Sequence, residues 1–242
     1  MIKLEKGEKP NYLSEDKVKE LTKRFQTNPK DRVWKNKEII KKLLESSKNK
    51  CAYCEIELQE KDSYGEIEHF KCKTLYPDHV VDWDNLLPSC KRCNTNKGSL
   101  DVNITSIINP YEEDPKLHLS LQNFRLYAKE GKNSKGDNTI KKLNLNEDER
   151  LTFARFKASN FINEQLEELV DNIDNIDFVR NGMSKVLRLC QRDKAFSAFL
   201  SSTLIYNPSS VTLKKLLQEK KLWDEEHIKM FNNIKEIALD PR

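Results

Sequence analysis

The spacing of apolar residues changes several times along the chain, and each change marks an element. Ser14, followed by Glu15 and Asp16, predicts a capped helix reaching about Phe25 or Gln26, which Asn28-Pro29 ends. Ile39, Ile40, Leu43 and Leu44 at helical spacing predict a second helix from Asp31 or Arg32 to Ser46. Its other face carries Lys35, Lys37, Lys41, Lys42 and Lys48, and it runs directly into Cys51. From Leu58 to Phe70 the period falls to two. This predicts a short hairpin with its turn at Lys61-Asp62-Ser63 and with Glu68 and His69 on opposite faces of a strand. Residues 73–84 read as an ordered loop, Leu86-Leu87 as a short buried strand, and Lys91 to about Leu100 as a helix.

Beyond Gly98 the character shifts. Ile107 to Pro115 is a proline-punctuated connection, after which Leu117, Leu119 and Leu121 alternate with polar residues and predict a strand paired with Phe124–Tyr127. Asn133 to Asp137 reads as a turn. Asn146 caps a long amphipathic helix bearing Leu151, Phe153, Phe156, Phe161, Leu166 and Leu169, and further helices fit about 176–204, 209–221 and 224–238. The fold class is therefore α+β, mostly α. It divides into basic N-terminal helices (1–50), a central core (51–100) and a mainly helical region for support or partner docking (101–242).

Charge refines this division. Residues 1–50 carry a net +7, residues 51–100 a net −3 and residues 101–242 none, so the basic arm precedes an acidic centre. Such a pairing suits lysines for phosphates beside carboxylates for a divalent ion, although a lysine-rich solvated helix face reads equally well. Absence of a long apolar stretch and of a secretion signal leads us to expect a cytoplasmic protein with no membrane span. In a reducing compartment six cysteines are expected as ligands more than as disulfides.

Cys51/Cys54 and Cys90/Cys93 are two Cys-x-x-Cys pairs separated by 35 residues. Four thiolates at about 2.3 Å from a tetrahedral zinc ion must come from paired tight turns, which these supply. The gap exceeds the roughly 15–20 residues of a compact zinc ribbon, so a structural zinc here closes a loop with other cargo. That cargo is Glu68-His69 and Asn85, and Asn94 and Lys97 follow the second pair directly. Phosphodiester cleavage needs a hard divalent ion, Mg2+ or Mn2+, and a base for the attacking water. Glu68 and Asn94 offer oxygen ligands, His69 a base that titrates near neutrality, and Lys97 a positive charge for phosphate.

The segments Cys51-Ala-Tyr-Cys54, Glu68-His69-Phe70 and Asn85-Leu86-Leu87-Pro88-Ser89-Cys90-Lys91-Arg92-Cys93-Asn94-Thr95-Asn96-Lys97-Gly98 resemble the zinc-stapled members of the HNH endonuclease superfamily, with their ββα-metal fold. The resemblance covers about a fifth of the chain. It implies that His69 is the general base, that Glu68 and Asn94 hold the catalytic ion, and that Asn85 orients the loop bearing the base. Glu68 stands where many relatives have Asp, and Cys72 lies near a position often occupied by Pro. More narrowly, the basic lead-in, Glu-His-Phe, Trp83-Asp84-Asn85-Leu86, Asn109-Pro110-Tyr111-Glu112-Glu113-Asp114-Pro115 and the helical tail resemble the HNH nuclease subunit of Septu-type anti-phage systems, also found beside retrons. That likeness implies an ABC/SMC-like ATPase partner and a nucleic-acid substrate, with DNA favoured and RNA such as tRNA open. Other readings are a non-cutting zinc adaptor for nucleic acid, a lapsed regulatory subunit, or a homing or restriction nuclease. His79, His118, His227, Cys72 and Cys190 read as structural.

Overall fold

The computed structural model describes residues 1–58 and 65–242, so the expected turn at Lys61-Asp62-Ser63 lies outside the described residues. Helix α1 (Glu15–Thr27) starts where the sequence places it, because the Ser14 hydroxyl accepts the Lys17 N–H. Helix α2 (Lys37–Ser47) begins later than expected. Asn36 caps it by accepting the Glu38 N–H at 2.8 Å, and residues 28–36 form an irregular connection around buried Val33. Strand β1 (Gly65–His69) pairs antiparallel with β2 (Leu86–Cys90), joining Gly65 to Cys90 and His69 to Leu86. Helix α3 (Lys91–Lys97) follows without a linker, and Gly98 ends it at a φ of +53° that favours glycine.

Strands β3 (Leu119–Gln122) and β4 (Arg125–Ala128) form the expected hairpin, to which β5 (Asp240–Pro241) adds in parallel beside β3. The expected turn at Asn133–Asp137 instead starts a helix, α4 (Lys135–Lys142), because Ser134 accepts the Asp137 N–H as its cap. Asn146 caps no helix. Its amide forms two 2.8 Å hydrogen bonds with the Leu126 backbone, and α5 (Phe153–Asp171) begins only after a wide π-helical turn at Asp148–Thr152. The long helix expected over 176–204 breaks into α6 (Ile176–Leu189) and α7 (Ser197–Tyr206) at left-handed Phe196. Helices α8 (Pro208–Glu219) and α9 (Glu225–Ile237) complete the chain's helical end.

Adjacent β2 residues enter different cores. Leu86 packs with Leu13, Leu21, Ile39 and Trp83, whereas Leu87 packs with the knuckle cysteines, Ile108, Leu119 and Leu151. The β1–β2 ribbon is thus covered on both faces, and its strand side chains are fixed by packing on each side. A third core joins α5 to α9 through Leu166, Met183, Leu204, Leu213 and Ile234. One buried polar network ties these parts together. Lys50 meets Glu55 at 3.0 Å, both meet the Ser197 hydroxyl, and the Met1 amino group lies 2.6 Å from Glu55. Burial pushes the Glu55 carboxyl upward, but these cations prevail and hold it well below the usual carboxylate range. Among the described residues, no helix is long and apolar enough to cross a membrane.

Candidate functional site

The two cysteine pairs meet as their spacing predicts. Left-handed Lys48 and Asn49 turn the chain out of α2 into the first knuckle, and the second lies at the junction of β2 and α3, where the Cys93 N–H points at Cys90 Sγ from 3.4 Å. All four side chains are buried, and their sulfurs lie within 4.8 Å of one another. Cys54 and Cys90 sulfurs are 3.7 Å apart. A tetrahedron with bonds of about 2.3 Å has edges of about 3.8 Å, so the donor set and spacing fit structural zinc. Without a cation the cluster cannot ionise evenly. Contacts from Cys51 and Cys54 depress the Cys90 thiol, while Cys54 and Cys93 are pushed up.

Beyond the knuckles, a cleft of about 950 Å³ gathers Glu66, Glu68, His69 and Asn94. Strand β1 supplies the first three and α3 the fourth. His69 is neutral here for a clear reason: burial lowers its pKa to about 3, with smaller contributions from Lys73 and Lys97. Its Nε2 lies 2.9 Å from the Val80 carbonyl, which only accepts, so the proton sits on Nε2 and Nδ1 keeps a free lone pair. The Trp34 ring stands edge-on to the imidazole, 4.9 Å between centroids and 89° between planes. Asn85 lies outside the cleft and fixes its frame. It accepts from Lys71 N at 2.7 Å and donates to the carbonyls of Lys71 at 3.0 Å and His79 at 2.9 Å, next to Val80.

Glu68 and Asn94 offer oxygens from opposite elements. Burial raises the Glu68 carboxyl to about 7 despite Lys97 beside it. The Lys97 ammonium is 2.5 Å from Glu68 Oε1, yet that oxygen accepts no well-aligned hydrogen bond. Asn94 donates its amide N–H to Glu66 Oε2 at 2.5 Å, which turns its own Oδ1 away from that carboxylate. A buried, underbonded carboxylate and an amide oxygen form the donor chemistry a hard divalent ion takes.

Lys97 departs from expectation. Its side chain has no exposed surface and donates to the His69 carbonyl at 2.8 Å, because α3 turns positions 93 and 97 inward together. It does not line the cleft; Lys30, Arg32, Lys35 and Lys73 do. Glu68 and His69 do lie on opposite faces of β1, paired with Leu87 and Leu86 of the two different cores, yet both border the cleft at the strand's end. Sequence reading missed Glu66 and Trp34. Glu66 had a signal, since it lies two residues before Glu68 and so on the same face, whereas nothing local marks Trp34.

Two other histidines form tight networks. Ser184, His227 and Asp224 line up at 2.8 and 2.6 Å in the order of a hydrolytic triad. Ser184 lies inside α6, where backbone N–H groups are spent on the helix and cannot hold an oxyanion, so the relay pins α9 to α6. His118 is held between Glu113 and Glu130.

An antiparallel β-ribbon leading into a helix, closed by a four-cysteine cluster and carrying a Glu-His pair opposite an Asn, defines a zinc-stapled ββα fold of the HNH type. No family model matches the chain. The chain belongs to the Septu PtuB family: it is 36% identical over its whole length to Septu protein PtuB of Bacillus thuringiensis, covering 96% of that protein. Septu protein PtuB of Bacillus mycoides (strain KBAB4) is 28% identical over 69% of the chain and 64% of the relative.

Proposed function

We propose that the chain is a divalent-ion-dependent endonuclease acting in anti-phage defence, with residues 51–100 as its cleaving core and residues 101–242 as support or docking region for an ATPase partner. The observation that carries this reading is the convergence of Glu68, His69 and Asn94 on one cleft rimmed by Lys30, Arg32, Lys35 and Lys73. Among the described residues those four cations make no ion pair, which leaves them available to a phosphate backbone. Glu68 and Asn94 would hold Mg2+ or Mn2+. Such an ion, when bound, draws charge from the scissile phosphate and its leaving oxygen.

The chain's own groups do the rest. His69 Nδ1 takes a proton from water, and the Val80 carbonyl on Nε2–H stabilises the imidazolium that results. Asn85 holds that carbonyl in place through His79 and Lys71. Lys97 positions Glu68 and the His69 backbone instead of touching phosphate. The substrate is a nucleic acid, DNA before RNA such as tRNA, read through phosphates and shape more than through base edges.

His69→Ala tests the reading. With Mn2+ or Mg2+, alone and with the proposed ATPase partner, the variant should lose about 10²–10⁴-fold of cleavage while keeping fold and zinc. Equal residual cutting by wild type and variant on every DNA and RNA tried would overturn it.

A further inference from the structure

Arg150 has no part in the proposed chemistry, yet it reaches from the turn before α5 to the far side of the cysteine cluster. Its Nη1 lies 3.9 Å from both Cys54 Sγ and Cys90 Sγ, one cysteine from each knuckle. Its Nε bonds Glu147 at 2.9 Å, while its Nη2 is buried without a partner. One turn further, Arg155 is buried against Leu145 O at 2.8 Å and over the Phe199 ring, with Nε unpartnered. Arg150 is half-buried and shares its one carboxylate, Glu147, with Arg92, while Arg155 is fully buried with no ion pair among the described residues and feels the Glu55 carboxylate alongside the cysteines. Four thiolates around Zn2+ carry a net charge of about −2, and a buried anion of that size needs positive partners at hand.

We infer that Arg150, with Arg155 behind it, is the outer partner of the zinc cluster, and that it couples zinc occupancy to the seating of α5. This rests on the zinc fit of the four cysteines and not on cleavage. Arg150 donates toward two sulfurs at once, drawing off their negative charge, which slows zinc loss. In return, the loaded cluster is the anion that holds the turn leading into α5 against the core. Loss of zinc removes the anion beside half-buried Arg150 and fully buried Arg155, so the turn at Asp148–Thr152 lets go first.

Zinc transfer to a chromophoric chelator, followed in the full chain, tests the first half. Arg150→Met, which keeps the apolar stem, should lose zinc about 10–100-fold more readily; Arg150→Lys, which keeps the charge but not the fork, should fall between. Arg188→Met, which removes an exposed surface pair with Glu226, should match wild type. Hydrogen exchange on wild-type protein, before and after zinc removal, tests the second half. Residues 148–156 should gain exchange before α8 and α9 do. Zinc transfer from Arg150→Met and Arg150→Lys at the wild-type rate, or uniform exchange across all helices on zinc removal, overturns the inference. If Arg150→Met fails to fold, Arg150→Lys alone decides by its transfer rate.

Discussion

Replacing Lys97 with Met keeps the stem and removes the ammonium, and the structure gives this change a size and a signature. Both partners of the Lys97–Glu68 pair are essentially without exposed side-chain surface, so Glu68 would be left as a buried carboxylate with only the weaker influence of Lys73 to offset it. Breaking one side of such a pair costs about 3–5 kcal/mol. At about 2–4 °C per kcal/mol for a chain of this size, the metal-free midpoint should fall by roughly 6–20 °C. The fall depends on pH in a definite direction. Glu68 already titrates near 7, above its ordinary 4.5, so below that value the folded protein escapes the penalty by taking up a proton. Lys97→Met should therefore lose more stability at pH 8 than at pH 6. A divalent ion on Glu68 replaces the missing charge, so millimolar Mn2+ should recover much of the loss at pH 8. Thermal melts of wild type and variant at both pH values, with Mn2+ and with chelator, measure all of this. A variant that melts with wild type everywhere but has lost cleavage would refute the reasoning and return Lys97 to the phosphate.

The remaining expectations concern the frame and its titration. Asn85→Ala removes three hydrogen bonds at about 0.5–1.5 kcal/mol each, and hydrogen exchange should show loosening confined to residues 70–85 with zinc retained. Cys90→Ser should abolish zinc, measured by metal analysis, and cost tertiary structure before any question of chemistry arises. The acid limb of the cleavage profile should follow Glu68 near pH 7 and not His69 near 3, and should move to lower pH as Mn2+ concentration rises. The two groups oppose each other in metal-free stability. Glu68, raised from 4.5 to about 7, contributes stability below pH 4.5 that is lost as pH rises through 7, whereas His69, depressed from 6.5 to about 3, costs stability as pH falls through that window.

The knuckles were legible because thiolate spacing is a local property, and the folded chain brings Cys51, Cys54, Cys90 and Cys93 together as read. The β1–β2–α3 order was legible for a similar reason, since period two and the Gly98 stop are written over a few residues. What escaped was set by distant partners. Lys97 looks solvent-bound in sequence and is buried because Glu68 and the His69 carbonyl await it. Helix α2 starts late because Asn36 caps it while Val33 packs among α1 and α2 residues. Asn146 has every local mark of a cap, yet the Leu126 backbone claims both ends of its amide. The Trp34 contact with His69 spans 35 positions and leaves no periodic trace.

Lys50 and Glu55 flank the first knuckle, and their hydroxyl partner, Ser197, comes more than 140 residues later. During synthesis the chain emerges from its N-terminus, so this charged pair must wait, still hydrated, until α7 has left the ribosome. Arg150 likewise arrives long after the second knuckle. The first knuckle can gather its sulfurs early, but its surroundings dry out only when the helical end closes over it. Vectorial synthesis thus has the centre between residues 51 and 97 written well before the helical end and among the last parts to set. For a protein whose proposed target is nucleic acid, a nascent chain still tethered beside RNA is kept from its final form until its own tail arrives.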